Sequence, residues 1–428
     1  MKFTADLHIH SKYSRATSKD LTLEELYRWA QLKGLQVVAT GDFLHPAWFK
    51  EIQTKLEPAE EGLFKLKPVY AKKIDSEIPQ PCRGEVRFIL SVEISSIYKR
   101  LEKVRKVHNV VFVPSLDVAQ SLQKTIEKIG NIHSDGRPIL GLDSRDLLEI
   151  TLASHPQSFL VPAHIWTPWF SMLGSKGGFD KMEDCFGDLT QHIFALETGL
   201  SSDPLMNWRL TQLDNCVLIS NSDAHSAPKL GREANIFDTE FSYPGIYNAL
   251  SDKKNTGFLG TMEFFPEEGK YHYDGHRDCG VRLTPKETKK NKGLCPKCGK
   301  PVVVGVMNRV EELADRQEGE QGARARPYKS LIQLETIISE GKGLGPTSKP
   351  VQELFHRMLA KLGSELNILN DMPLDAIKAV GGELLAEGIS RMRQGKVSIA
   401  PGYDGEYGTI KLFSDKERKT QKDQLTLF

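Results

Sequence analysis

Along the first half of the chain, short apolar runs alternate with stretches of helical spacing, and most of the runs lead into a histidine or a carboxylate. Residues 35–40, 86–92, 107–113, 159–163, 193–196 and 217–220 are such runs. Their length and their Val, Ile, Leu and Phe content suit strands buried on both faces. Helical stretches at 116–129, 144–153 and 204–213 separate several of them. An earlier one opens at Thr22-Leu23-Glu24-Glu25, a capping-box pattern, carries Leu23, Leu26, Tyr27 and Ala30 on one side and stops at Gly34. Buried strands with intervening helices call for an α/β fold with a parallel sheet, and this many units favour a closed barrel.

The polar residues fall where such a barrel does chemistry, at the C-terminal ends of its strands. In Asp6-Leu7-His8-Ile9-His10 the alternation of an extended chain from Phe3 to Ile9 turns both imidazoles the same way, with Asp6 behind them. Later ends bring Asp42 with His45, then Glu93, His164, Glu197, and Asp223 with His225. His108 sits near the start of its run and fits less well. A buried carboxylate without a partner is costly, and several converging ones repel. Bound cations remove both problems. The donors suit two or three divalent ions such as Zn, Mn, Mg or Fe, which bridge a phosphate and turn water into hydroxide near neutral pH.

A net charge of +1 over 428 residues excludes a globally basic nucleic-acid binder but says nothing of local patches. The N-terminus lacks a signal-peptide pattern, and no run approaches the roughly 18 apolar residues of a membrane span, so a cytoplasmic location is expected. After His164, the loop with Trp166, Trp169, Phe170 and Lys176 projects at the barrel mouth. Its aromatics serve either to stack on or wedge beside a base, or as a lid packed against a second domain. Glu197 and Asp203 lie near the same mouth, to orient a water or tune neighbouring groups. Arg209 and Arg232 are candidate phosphate clamps, with surface salt bridges as the alternative fate.

Past residue 265 the composition changes. Cys279 and Cys295-Pro296-Lys297-Cys298, each followed by glycine, form two knuckles with the spacing of a tetrahedral structural zinc site. His276 is the fourth ligand on spacing grounds, with His272 as alternate, and nearby lysines read as contacts to nucleic-acid phosphates. The expected organisation is a barrel over 1–265, a zinc module over 266–306 and a mostly helical, DNA-contacting unit over 307–413, with helices at 309–315, 328–340, 351–362 and 374–392. A hairpin-like end near 400–413 exposes Tyr403 and Tyr407, and a flexible tail occupies 414–428.

The order His-x-His, Asp, Glu, His, His, Asp-x-His resembles the PHP (polymerase and histidinol phosphatase) superfamily over about residues 1–260. That resemblance implies a distorted (β/α)7 barrel that holds up to three metals and hydrolyses phosphoesters. Carried over by position, His8 and His10 match the first motif, Asp42 the second, Glu93 the bridging carboxylate, His108 and His164 the middle histidines, and Asp223 with His225 the last. The sequence departs in two places. Ser14, Arg15 and Ala16 stand where a further histidine is common, and Gly41-Asp42-Phe43 replaces Thr-Asp-His, leaving His45 as substitute. With the zinc knuckles and the segment 402–408, the chain is similar nearly end to end to the endonuclease Q family. Membership would imply a DNA-repair enzyme that cuts 5′ to uracil, hypoxanthine, xanthine or an abasic site. The rival is a small-molecule phosphatase of the histidinol-phosphate type, which needs neither zinc knuckles nor a lysine cluster. Finally, Gln424-Leu425-Thr426-Leu427-Phe428 resembles the peptide that engages the bacterial sliding clamp, the alternative being a tail that docks on its own domain.

Overall fold

Thr22 starts the first helix, Leu23–Lys33, by accepting from the amide of Glu25, and Gly34 ends it in the left-handed conformation at φ 91°. Only half of a capping box forms, because the Glu25 carboxylate turns to Arg28 at 3.1 Å. The computed structural model describes residues 1–414 and Glu417. Its central strands are β1 (Lys2–Asp6), β2 (Val37–Ala39), β3 (Arg87–Arg100), β4 (Lys103–Val113), β5 (Phe159–Pro162), β6 (Ala195–Glu197), β7 (Val217–Ile219), β8 (Ala234–Asp238), β9 (Phe258–Glu263) and β10 (Tyr328–Ser330).

The architecture is α/β, but the sheet is mixed. Parallel pairing joins β1 to β2, β2 to β3, β6 to β7 and β9 to β10. Antiparallel pairing joins β1 to β8, β8 to β9, β3 to β4 and β4 to β5. The β6–β7 pair meets the main sheet through the Ile165 amide on the Glu197 carbonyl, 3.1 Å, and through a bridge between Ile9 and Ala224. Strand β1 ends at Asp6, so His8 and His10 follow the strand and do not lie within it.

The largest departure from a parallel sheet is the β3–β4 hairpin. Runs 86–92 and 107–113 are the inner halves of two long strands, and Leu101 and Glu102, at φ 50° and 57°, make the two-residue turn between them. The outer halves hide from a hydrophobicity reading because they are rich in Lys and Arg. Reversed direction also accounts for His108. A run that travels backwards brings its beginning, not its end, to the site, and His108 lies opposite Ser95, two residues beyond Glu93.

Residues 328–340 are not one helix. Tyr328–Ser330 adds to the sheet beside β9, and the helix begins at Leu334. Helices Leu334–Lys342, Lys349–Leu362, Glu365–Asn370, Leu374–Gly381 and Glu383–Arg393 form the C-terminal helical region. Their apolar faces join the same contiguous core as the sheet. A buried ion pair, Lys33 Nζ to Glu365 Oε2 at 2.5 Å, ties them to the first helix. Between sheet and helices, Val281, Leu283, Cys295 and Val302 make a separate small core. The hairpin Ser398–Ala400 with Thr409–Lys411 forms as expected, but of the two tyrosines Tyr407 is exposed, at 71%, whereas Tyr403 packs against Gly275. Gln424, Leu425, Leu427 and Phe428 lie outside the described residues. Among the described residues no helix is long and apolar enough to cross a membrane.

Candidate metal centre

Three residues of the predicted set leave their strands in the left-handed backbone region, Asp42 at φ 50°, His164 at 30° and Asp223 at 47°. Such positions cost about 1–3 kcal/mol each and persist where the surroundings over-determine them. Here they turn the chain sharply at the strand ends, so that side chains from separate segments converge.

Two sets meet on one carboxylate. His8, His10, Glu93 and Asp223 offer atoms all within 4.8 Å of one another, and so do Glu93, His108 and His164. In the first set His10 Nε2 is 3.0 Å from Asp223 Oδ1 and 3.3 Å from Glu93 Oε2, while His8 Nε2 is 3.7 and 3.8 Å from the same two carboxylates. In the second, Glu93 Oε1 lies 2.7 Å from His108 Nδ1 and 3.0 Å from His164 Nε2. Ligand atoms about 2.0–2.2 Å from one ion sit roughly 3.0–3.6 Å apart, so this spacing fits a shared divalent cation. The polar inventory agrees. Although buried, His8 Nε2, His10 Nε2 and Asp223 Oδ1 have no hydrogen-bond partner among the described residues, an expensive arrangement unless a cation meets them.

The opposite edges of the two leading imidazoles are tied down. Glu197 sits 3.0 Å from His8 Nδ1, and Asp42 3.2 Å from His10 Nδ1, which directs each Nε2 to the centre. Glu197 also accepts from the Asn221 side chain and the His164 amide, both at 2.8 Å. Asp42 also accepts from the Ser11 amide and hydroxyl and from Ser14. Burial opposes charge on both rings, yet Glu197 and Glu93 hold His8, and Asp223, Asp42 and Glu93 hold His10, well above the ordinary imidazole range. A negative field of this kind also favours a metal cation. Burial would raise Glu93, but His108 and Arg137 keep it well below the carboxylate range.

The remaining predicted residues stand outside these two sets. His45 caps the helix Pro46–Lys55 through Nδ1 and bonds the His133 carbonyl through Nε2 at 3.0 Å. His225 places Nδ1 2.9 Å from the Asp223 carbonyl, with its ring 4.7 Å from that of His10. Asp203 caps the short helix Pro204–Asn207. Trp166 is core, its indole donating to Asn207 at 2.8 Å. Trp169 is 45% exposed and meets Tyr271 edge-on, Phe170 packs on His108 at 4.8 Å, and Lys176 is exposed. Arg209 is spent on the Arg316 carbonyl and Glu311. Arg232 braces the turn at Asp223 through the carbonyls of Ser222 and Asp223.

Sequence reasoning passed over Arg137 and Asn221. Arg137 Nη1 lies 3.0 Å from Glu93 Oε2, and its loop comes close because Gly136 has no Cβ to strike the Asp42 carboxylate. A lone Arg in a loop carries no periodic signal. Asn221, two residues before Asp223, was legible only as part of that motif.

The second cluster combines His276, Cys279, Cys295 and Cys298, with His276 Nδ1 3.8 Å from Cys298 Sγ. That is roughly the edge of a tetrahedron with ~2.3 Å bonds to zinc. His272 is buried apart from it. Gly280 and Gly299, at φ 58° and 73°, make the turns that follow Cys279 and Cys298.

Paired His/Glu/Asp sets with a common carboxylate in an α/β fold define a metal-dependent hydrolase, and the donor types point to divalent metals. The lesion-specific endonuclease PfuEndoQ from Pyrococcus furiosus aligns at TM-score 0.83 and 32% identity, covering 98% of this chain and 99% of that one. Endonuclease Q in complex with a 27-mer duplex substrate carrying an abasic lesion aligns at 0.82 and 33%, covering 98% of each chain. The chain belongs to the endonuclease Q family, and it is a metal-dependent endonuclease. The family model for the MJ0043 C-terminal domain matches residues 333–396, the helical region. The uncharacterized protein MJ0043 of Methanocaldococcus jannaschii is 33% identical over 270 residues, 61% of this chain but only 33% of that protein.

Proposed function

We propose that this chain is a DNA-repair endonuclease of PHP-type architecture that hydrolyses the phosphodiester 5′ to a deaminated base (uracil, hypoxanthine or xanthine) or an abasic site. The observation that carries the reading is the pair of buried ligand sets joined by Glu93, with unpartnered His8 Nε2, His10 Nε2 and Asp223 Oδ1 facing one point. Likeness to a solved endonuclease Q bound to an abasic duplex supports DNA as the substrate. Two or three divalent ions held by His8, His10, Glu93, Asp223, His108 and His164 would supply an activated water and neutralise phosphate charge. The protein's own part is orientation. Glu197 and Asp42 fix which imidazole nitrogen faces the centre, and His225, its Nδ1 held by a carbonyl, keeps Nε2 for a water, a proton or a further ion.

Two further assignments belong to the same reading. One structural zinc is held by His276, Cys279, Cys295 and Cys298, and the tail residues Gln424, Leu425, Leu427 and Phe428 engage a sliding clamp. The test is incubation of metal-stripped and Mn- or Mg-reloaded protein with duplexes bearing one dU, dI or abasic site. A metal-dependent nick 5′ to the lesion, leaving a 3′-hydroxyl and a 5′-phosphate, is expected. Intact duplexes beside rapid turnover of phosphomonoesters would overturn the reading in favour of a small-molecule phosphatase. Clamp binding that survives removal of residues 424–428 would eliminate the tail contact.

A further inference from the structure

The β3–β4 hairpin does more than deliver Glu93 and His108. Alternation along β3 puts Glu93, Ser95, Ile97 and Lys99 on one face, and the register places His108 opposite Ser95, Lys106 opposite Ile97 and Val104 opposite Lys99. The face that carries two metal-set residues therefore continues outward as Lys106, Lys99 and Val104. Lys99 lies six residues beyond Glu93, about 20 Å of extended chain, which is more than half a turn of duplex DNA.

The two faces of this arm differ. On the far side Arg105 lies 4.1 Å from the Phe179 ring centroid and donates to the Gly178 carbonyl, and Arg100 pairs with Asp143 at 3.1 Å. Those contacts pin the hairpin to the body. The metal-side face opens toward its outer end, where Ile97 and Lys106 are half-buried, Val104 is 60% exposed and the Lys99 side chain 68% exposed. Among the described residues Lys99 pairs with Glu102 on the hairpin itself, a solvent-exposed pair of small worth. Lys106 rests 5.5 Å over the Phe170 ring, which in turn packs on His108. Metal set, aromatic ring and lysine thus follow one another in a line.

We infer that this face is a guide rail for DNA, with Lys106 and Lys99 gripping the sugar-phosphate backbone of the strand that leaves the metal centre. The assignment rests on the DNA-nicking reading and adds to it a path for the substrate. Lysine, a flexible point charge, suits sequence-independent phosphate contacts, which an enzyme that must meet a lesion in any sequence requires.

The experiment reads binding, not cutting. Affinity for a labelled duplex with one abasic site and an uncleavable linkage 5′ to it is measured by fluorescence anisotropy across a salt series with the metal-loaded protein, for the parent and for three variants. In Lys99→Glu/Lys106→Glu the slope of log affinity against log salt is expected to become shallower by about two, one per lost phosphate contact, with affinity down at least tenfold at low salt. Lys99→Ala/Lys106→Ala, the gentler change, is expected to show the same loss of slope. Lys103→Glu, at the hairpin tip but on the other face, is expected to keep the parent slope. Melting temperature and metal content, expected at parent values, separate a binding defect from misfolding. An unchanged slope in both double variants, an equal loss in Lys103→Glu, or a parent that does not bind the duplex would overturn the rail. Binding that behaves as expected in a protein that cuts no lesion would overturn the nuclease reading and leave the rail standing.

Discussion

The chemistry of the centre hangs on second contacts as much as on the ligand atoms. Glu197→Ala frees the His8 ring and is expected to lower metal affinity 10–100-fold, read by competition with a chelator, and Asn221→Ala, which removes one donor to Glu197, should act in the same direction but less. Gly136→Ala would drive a methyl against the Asp42 carboxylate, so reduced metal retention at unchanged melting temperature is expected. A pH effect arises deeper. Burial pushes Glu263 up to about 7 despite donation from Thr261, Ser220 and Thr198. Between the ordinary glutamate range and pH 7 the unfolded chain loses this proton while the folded chain keeps it, so stability falls as pH rises through that window. Glu263→Gln should flatten that fall in a series of denaturant melts. Of the centre itself, the converging His8, His10, Glu93, His164 and Asp223 were legible as polar residues at run ends. The roles of Asp42 and His45 were not, because a carboxylate that orients an imidazole and one that meets a metal look the same in a sequence, as do a ligand histidine and a helix cap.

At the scale of elements, the apolar strands were legible and their directions were not. Hydrophobic runs report burial, whereas direction depends on the connection. Here a two-residue turn at Leu101 and Glu102, flanked by charged strand halves, reverses the chain where a parallel sheet would need a crossover. The Tyr328–Ser330 strand escaped notice because three residues are too few for a period to show. The loop after β5 divides by burial. Trp166 belongs to the core, so Trp166→Ala should lower the melting temperature, whereas Trp169→Ala, at an exposed position, should impair lesion cleavage far more than metal content or stability. Equal losses of metal and activity in Trp169→Ala would mark the whole loop as structural. In the small module, Cys295→Ser is expected to release zinc and loosen residues 266–306 while the main centre keeps its ions, read by metal analysis and hydrogen exchange.

For the whole molecule, the helical region shares a core with the sheet, so it should not unfold separately. Lys33→Met leaves the Glu365 carboxylate buried without its partner, although still bonded to the Leu334 amide at 2.9 Å, and a loss of about 3–5 kcal/mol is expected in a single denaturant transition. A Lys33→Met/Glu365→Gln double variant should recover most of it. The distance in sequence between partners has another consequence. Strand β1 pairs with the nearby β2 on one side and with β8 on the other, Asp6 accepts from the amides of Ser222 and Gly231, and Ile9 bridges to Ala224, so one whole flank of the segment bearing the first two histidines is set by chain more than 200 residues away. A chain that stops before residue 234 therefore lacks β8 and with it one of the two strands that flank β1, so the order of synthesis delays the full frame around His8 and His10 until most of the protein is made.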